Sequence, residues 1–121
     1  MTLAPKILVA DDDETLSRTL SWVLKDNGYE VEAVTTGKNL VERLLASRYD
    51  LLLLDILMPE SDGLSLLGRI KEHPQLKHLP VLMISTMPPE EAAITSLGLG
   101  AADFIPQPIR IRGLLARLKA P

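Results

Sequence analysis

Short apolar runs alternate along the chain with longer stretches in which apolar side chains recur every three or four positions. That alternation predicts repeated strand-helix units around a parallel sheet. The first run, Ile7-Leu8-Val9-Ala10, stops at Asp11-Asp12-Asp13, whose carboxylates suit a helix start through capping and through favourable negative charge. Leu16, Leu20, Val23, Leu24 and Asn27 then share one helical face, Trp22 points to the other side, and Gly28 is placed to end the helix. Glu30 to Val34 alternates as an edge strand does, and Leu40, Val41, Leu44 and Leu45 stripe the helix after Gly37. Leu51-Leu52-Leu53-Leu54 is continuously apolar, which fits a central strand covered on both faces, and it ends in Asp55.

A loop from Met58 to Gly63 leads into a helix carrying Leu64, Leu67 and Ile70. This helix must stop before Pro74, because the residue ahead of a proline is pushed out of the helical region. Val81 to Ile84 is the fourth strand, and Pro88-Pro89 opens a helix from about Glu90. Ala102 to Ile105 is the fifth strand, placed on the sheet edge because Pro106 would interrupt a central ladder. Ile111, Leu114, Leu115 and Leu118 stripe the last helix. The expected fold is α/β, a doubly wound five-stranded parallel sheet.

Composition narrows the function classes. With 46% hydrophobic and 24% charged residues, the 121-residue chain reads as one folded domain over residues 1–121, without repeat or linker. Aromatic residues make up only 3%, so Leu, Ile, Val and Ala must fill the core and base-stacking platforms are scarce. A net charge of -3 gives no electrostatic footprint for nucleic acid or anionic lipid. The absence of cysteine removes disulfides, thiolate catalysis and sulfur-ligated metals, and fits a reducing cytoplasm. Met1 to Lys6 holds no signal-peptide core, and the apolar run Leu51 to Met58 is broken by Asp55, so no membrane span is expected and the location is read as cytoplasmic.

In an open parallel sheet, ligands bind beyond the carboxyl ends of the strands. The residues there are Asp11 and Asp12 after the first strand, Asp55 after the third, Ser85 after the fourth and Gln107 after the fifth. Converging carboxylates raise one another's pKa and cost stability unless a cation neutralises them. All-oxygen ligation points to a hard ion such as Mg²⁺. Asp13 is accounted for by helix capping. Asp55 is different, because a carboxylate ending four leucines is partly desolvated.

Five separate motifs now stand in order: Ile7-Leu8-Val9-Ala10-Asp11-Asp12, Leu53-Leu54-Asp55-Ile56-Leu57-Met58-Pro59, Asp62-Gly63-Leu64, Val81-Leu82-Met83-Ile84-Ser85 and Gly100-Ala101-Ala102-Asp103-Phe104. Together, over about Lys6 to Lys119, they resemble the receiver domain of two-component response regulators. The resemblance implies a flavodoxin-like (βα)5 fold with strand order 2-1-3-4-5. It implies that Asp55 accepts a phosphoryl group from a phosphohistidine on a sensor histidine kinase or histidine phosphotransfer protein. Asp12, with Asp11 acting mainly through water, would hold Mg²⁺ together with Asp55 and the backbone carbonyl of Leu57. Ser85 matches the hydroxyl residue that bonds the phosphoryl, and Phe104 matches the switch aromatic. Such a domain signals rather than acting as an enzyme. Its changed surface, around the fourth helix, fifth strand and fifth helix, would address a downstream protein, a fused output domain or a second copy in a homodimer. Direct contact with nucleic acid is not expected of it.

One position departs from the family pattern. Where the family has lysine before proline, this chain has Gln107-Pro108, at the place where the family shows a cis bond. Glutamine donates a hydrogen bond but brings no charge, and at about 4 Å with an effective dielectric near 20 a unit charge is worth up to roughly 4 kcal/mol. This supports a second reading, a pseudo-receiver that binds partners without phosphorylation. A third, an aspartate-dependent phosphatase, would want another acid two residues after the nucleophile, where Leu57 stands. His73 and His78 in a proline-flanked loop read as solvated. The basic last helix, with Arg110, Arg112, Arg117 and Lys119 in and around it, reads as a solvated face, and Gly98-Leu99-Gly100 lacks the third glycine of a dinucleotide fingerprint.

Overall fold

The computed structural model describes residues 4–58 and 61–119. In chain order the elements are β1 (Lys6–Ala10), α1 (Glu14–Asp26), β2 (Glu30–Val34), α2 (Leu40–Ala46), β3 (Leu51–Asp55), β4 (Leu57–Met58), β5 (Ser61–Asp62), α3 (Gly63–Glu72), β6 (Val81–Ser85), α4 (Pro89–Gly98), β7 (Asp103–Pro106) and α5 (Ile111–Lys119). Five strands form one parallel sheet in the order β2-β1-β3-β6-β7. Setting aside the two-residue strands β4 and β5, which pair antiparallel with each other, this is the expected 2-1-3-4-5 order of a flavodoxin-like fold.

Strand side chains alternate between two apolar layers. Leu8, Ala10, Leu52, Leu54, Val81, Met83 and Phe104 pack with Leu40 and Leu44 of α2, with Leu66, Leu67 and Ile70 of α3 and with Ala92 of α4. Ile7, Val9, Leu53, Leu82, Ile84 and Ile105 pack on the opposite face with Leu20 and Leu24 of α1 and Leu114 of α5. The central strands are buried on both faces, which is why Leu51 to Leu54 needs no polar alternation. Both edges fall where the sequence places them, with the alternating segment at β2 and the proline-terminated one at β7.

Local chemistry sets the helix ends. The Asp13 side chain accepts from the Leu16 N–H and caps α1, and Gly28 adopts φ +92° just beyond it. The Asp62 carboxylate accepts from the Leu64 N–H and caps α3, whose end falls at His73 before Pro74.

Several expectations need adjusting. Residues 58–63 are not all loop, because Leu57–Met58 pairs with Ser61–Asp62. Leu45 is 41% exposed, since the seven-residue α2 turns only a narrow face to the sheet. Leu66 rather than Leu64 takes the buried place in α3, Ser85 is the last residue of β6 rather than the first after it, and β7 runs one residue later than predicted. Arg117 is not simply solvated, because its Nε donates to Asp103 Oδ2 at 2.8 Å. Trp22 points outward as predicted and is 71% exposed. No helix among the described residues is long and apolar enough to cross a membrane.

Candidate functional site

The carboxyl ends of β1 and β3 are neighbours, because Ala10 pairs with Leu54 in the parallel register. Asp11 and Asp55 therefore emerge side by side, both buried, with Asp12 exposed next to them. One carboxylate oxygen from each of the three lies within 4.8 Å of the others. Asp11 Oδ1 accepts the Asp13 N–H at 2.9 Å, and Asp55 Oδ1 accepts the Leu57 N–H at 3.1 Å. These contacts leave Asp11 Oδ2 buried without a hydrogen-bond partner.

The electrostatics follow from that crowding. Burial first, then the charge of Asp11, push the Asp55 carboxyl up to about 7, against the pull of the Leu57 N–H. Burial likewise raises Asp11, and the Asp13 N–H holds it back. Among the described residues no lysine or arginine forms an ion pair with any of the three. Two buried carboxylates in contact, one with an orphaned oxygen, and a third at the rim make an all-oxygen donor set suited to a hard divalent cation.

Of the remaining sequence-selected residues, Leu57, Ser85 and Gln107 lie at the same end of the sheet, and Phe104 lies within β7. Ser85 is fully buried, and its Oγ accepts the Met87 N–H at 3.0 Å. The Gln107 N–H donates to the Ser85 carbonyl at 2.9 Å, which sets residue 107 beside β6, and the Gln107-Pro108 peptide is cis. Phe104 is 5% exposed and sits in the layer under α4, opposite Met83. Leu57 is half exposed at the mouth, with its N–H turned to Asp55.

Sequence reading missed three supports. The Ser17 hydroxyl donates to the Asp11 carbonyl at 3.4 Å and ties α1 to the end of β1. The Met87 N–H fixes the Ser85 hydroxyl oxygen. Gly63 donates its N–H to the Ile56 carbonyl at 3.0 Å, and a Cβ there would stand 2.2 Å from the Asp55 carbonyl oxygen, so only glycine lets the chain fold back under the site. Asp62-Gly63 was visible as a motif, whereas backbone donors carry no sequence signal. A surface cavity of about 640 Å³ between residues 44–50 and 75–80 lies at the opposite end of the strands, away from the carboxylates.

A five-stranded flavodoxin-like sheet with buried aspartates at the ends of two adjacent strands is the arrangement that the receiver-domain resemblance implies. The response regulator receiver domain family matches residues 7–119, and the chain belongs to that family. It is 34% identical over 118 residues to the phosphate regulon transcriptional regulatory protein PhoB of Rhizobium meliloti, covering 98% of this chain and 52% of that protein. It is 34% identical over 114 residues to the transcriptional regulatory protein GltR of Pseudomonas aeruginosa, covering 94% and 47%. The chain thus spans about half the length of these curated relatives. Among solved structures, the chemotaxis protein CheY4 of Vibrio cholerae superposes with a TM-score of 0.87 at 28% identity, covering 96% of this chain and 97% of that one.

Proposed function

We propose that residues 1–121 act as one receiver unit in which Asp55 accepts a phosphoryl group from a phosphohistidine, with Mg²⁺ held by Asp11, Asp12, Asp55 and the backbone carbonyl of Leu57. The observation that carries this reading is the buried, unpaired Asp11 Oδ2 beside a crowded Asp55, a cluster that costs stability unless cation and phosphoryl chemistry use it. When bound, the cation neutralises charge on the phosphoryl oxygens. The chain's own groups do the rest. An Asp55 oxygen attacks phosphorus as the phosphorus–nitrogen bond to the donor imidazole breaks, and the imidazole nitrogen is left to take a proton. The Leu57 N–H fixes Asp55 Oδ1 and so leaves Oδ2 as the attacking atom. The Ser85 hydroxyl, held through its oxygen by the Met87 N–H, has its proton available for a phosphoryl oxygen.

Phe104, buried under α4, and Ser85 would carry the change to the surface of α4, β7 and α5. The partners of that surface are a downstream protein, an output domain or a second copy. PhoB and GltR are named transcriptional regulators and are about twice as long as this chain, so in them the receiver is one part of a larger molecule. A phosphorylation-independent binding module is the second reading, supported by the missing cation at Gln107. Treatment with acetyl phosphate and Mg²⁺ followed by borohydride tests the first reading. An aspartyl phosphate is reduced to homoserine, expected at position 55, whereas modification elsewhere or none at all favours the second.

The metal assignment has its own test. Mg²⁺ at 100 times its dissociation constant should stabilise the fold by about 2.7 kcal/mol through mass action. Thermal melts are expected to shift upward with Mg²⁺ in wild type and much less in Asp12→Ala. An equal shift in both would move the cation elsewhere.

The lifetime of the phosphorylated form depends on what can orient water. By family resemblance, Leu57 and Met87 flank the path of the hydrolytic water, and both are apolar. Leu57→Asn and Met87→Glu are each expected to speed loss of phosphate about tenfold or more, within the range that general-base assistance supplies. An unchanged rate of phosphate release would show that neither side chain borders the water.

A further inference from the structure

Edge strand β2 presents an open ladder beside a groove of a single charge sign. The sheet ends at β2, with no further strand beyond it among the described residues. The Glu30 N–H donates to the Pro5 carbonyl and the Val34 carbonyl accepts the Asp11 N–H, so these residues turn their backbone groups toward β1. Backbone direction alternates along a strand, which points the N–H and C=O of Val31 and Ala33 away from the sheet. The far edge strand, β7, closes with Pro106, whereas β2 contains no proline to blunt its row of donors and acceptors.

The side chains beside that edge share one character. Trp22 of α1, 71% exposed, stands with Arg18 and Lys25 along a groove of about 420 Å³ that reaches Val31 and Ala33. No acidic residue lines it, and among the described residues neither cation forms an ion pair. Glu30 and Glu32 leave the strand on its other face, where Glu32 is held by Lys6, Arg43 and Tyr49. An exposed tryptophan flanked by unpaired cations, next to free backbone groups, suits capture of an extended chain as an added strand. The spacings agree. Arg18, Trp22 and Lys25 stand about 6 and 4.5 Å apart along the helix axis, against about 6.8 Å between alternate residues of a strand, a difference that long side chains bridge. We propose that the α1 side of β2 is a docking edge for an extended acidic peptide segment of a partner protein, which pairs with Val31 and Ala33 as a sixth strand. Its positions facing α1 read acid, apolar, acid, and meet Arg18, Trp22 and Lys25 in turn. That pattern is symmetric, so it fits either strand direction. Neither Asp55 nor its metal takes part, so binding is read apart from phosphorylation.

Trp22 is the only tryptophan, so its emission reports the groove directly. The probe is a blocked peptide, Thr-Glu-Thr-Ile-Thr-Glu-Thr, which sets both acids and the isoleucine on one face of a strand. Titrated into the whole chain, it is expected to shift the Trp22 emission to shorter wavelength, with saturation, as the isoleucine displaces water from the ring. A peptide of the same composition with its alternation scrambled should bind at least tenfold more weakly. Two variants separate the parts of the site. Arg18→Glu with Lys25→Glu removes the complementary charge, and Ala33→Pro removes one outward donor while leaving the bonds to β1, since proline is tolerated on an edge strand. Each is expected to weaken binding about tenfold or more, with the melting temperature reporting separately that the fold is kept. The probe N-methylated at its central Thr-Ile-Thr cannot pair, and gives the same discrimination without altering the protein. A saturable shift that survives both Ala33→Pro and N-methylation, as a helical ligand would give, would overturn the proposal. So would the absence of any shift up to about 1 mM peptide. A wild-type chain that dimerises without peptide, and is made monomeric by Ala33→Pro, would assign the edge to a second copy and overturn it equally.

Discussion

Gln107→Lys is expected to raise the rate at which acetyl phosphate and Mg²⁺ modify Asp55 by about tenfold or more. The candidate site concentrates negative charge, with Asp11 and Asp55 buried and in contact, Asp12 at the rim, and no ion pair from lysine or arginine among the described residues. A phosphoryl group adds more. Residue 107 is held at this end of the sheet by the bond from its N–H to the Ser85 carbonyl, so a lysine there starts from a position beside β6. A full ammonium charge at about 4 Å and an effective dielectric near 20 is worth up to roughly 4 kcal/mol. A flexible lysine stem in contact with water realises part of this, and a third of it is already tenfold in rate. The time course of phosphorylation in the two proteins is the check. Equal rates would mean that charge at position 107 does not reach the transferring oxygens. If both proteins stay unmodified under conditions that label a control receiver, the chain binds its partners without phosphorylation.

Asp55→Asn is expected to stabilise the metal-free protein at pH 8, with a gain that disappears toward pH 4. The carboxyl stands at about 7 in the folded chain against an ordinary value of 3.8, raised first by burial and then by Asp11. Because the folded form holds the proton more tightly, the stability linked to this group is fully present below the ordinary value and is lost as pH rises through about 7. Above that, the folded protein carries an ionised carboxylate in a place that disfavours it. A shift of this size corresponds to about 4 kcal/mol, and with water screening the open side of the site roughly 2 kcal/mol remains. For a domain of this length that amounts to about 5–10 °C in melting temperature. Melts of both proteins in chelator across pH 4 to 8 decide the matter. A lower melting temperature for Asp55→Asn, or a gain independent of pH, would remove carboxylate crowding as the dominant feature of the site.

The architecture was legible because each layer writes its own period into the chain. Leu51 to Leu54 reads as a strand buried on both faces, and Glu30 to Val34 as an edge. Pairing of Leu57–Met58 with Ser61–Asp62 was not legible, since two residues on each side are too few to show a period. Helix α4 shows the limit most clearly, because its inward residues are Ala92 and Ser96 and no apolar stripe announces them. In the site, Asp11 and Asp55 stood out as charges ending apolar runs. Their backbone partners did not, because every residue but proline carries the same N–H and only the fold decides which one points at a carboxylate. The Ser17 hydroxyl and the close approach at Gly63 are products of the same packing.

The most direct test of the central claim is the intact mass of wild type and Asp55→Ala after acetyl phosphate and Mg²⁺, each alongside a sample in chelator. The account predicts that wild type gains the mass of one phosphoryl group only when Mg²⁺ is present, and that Asp55→Ala gains none. Equal gain in the two proteins, or gain in wild type that persists in chelator, would contradict it.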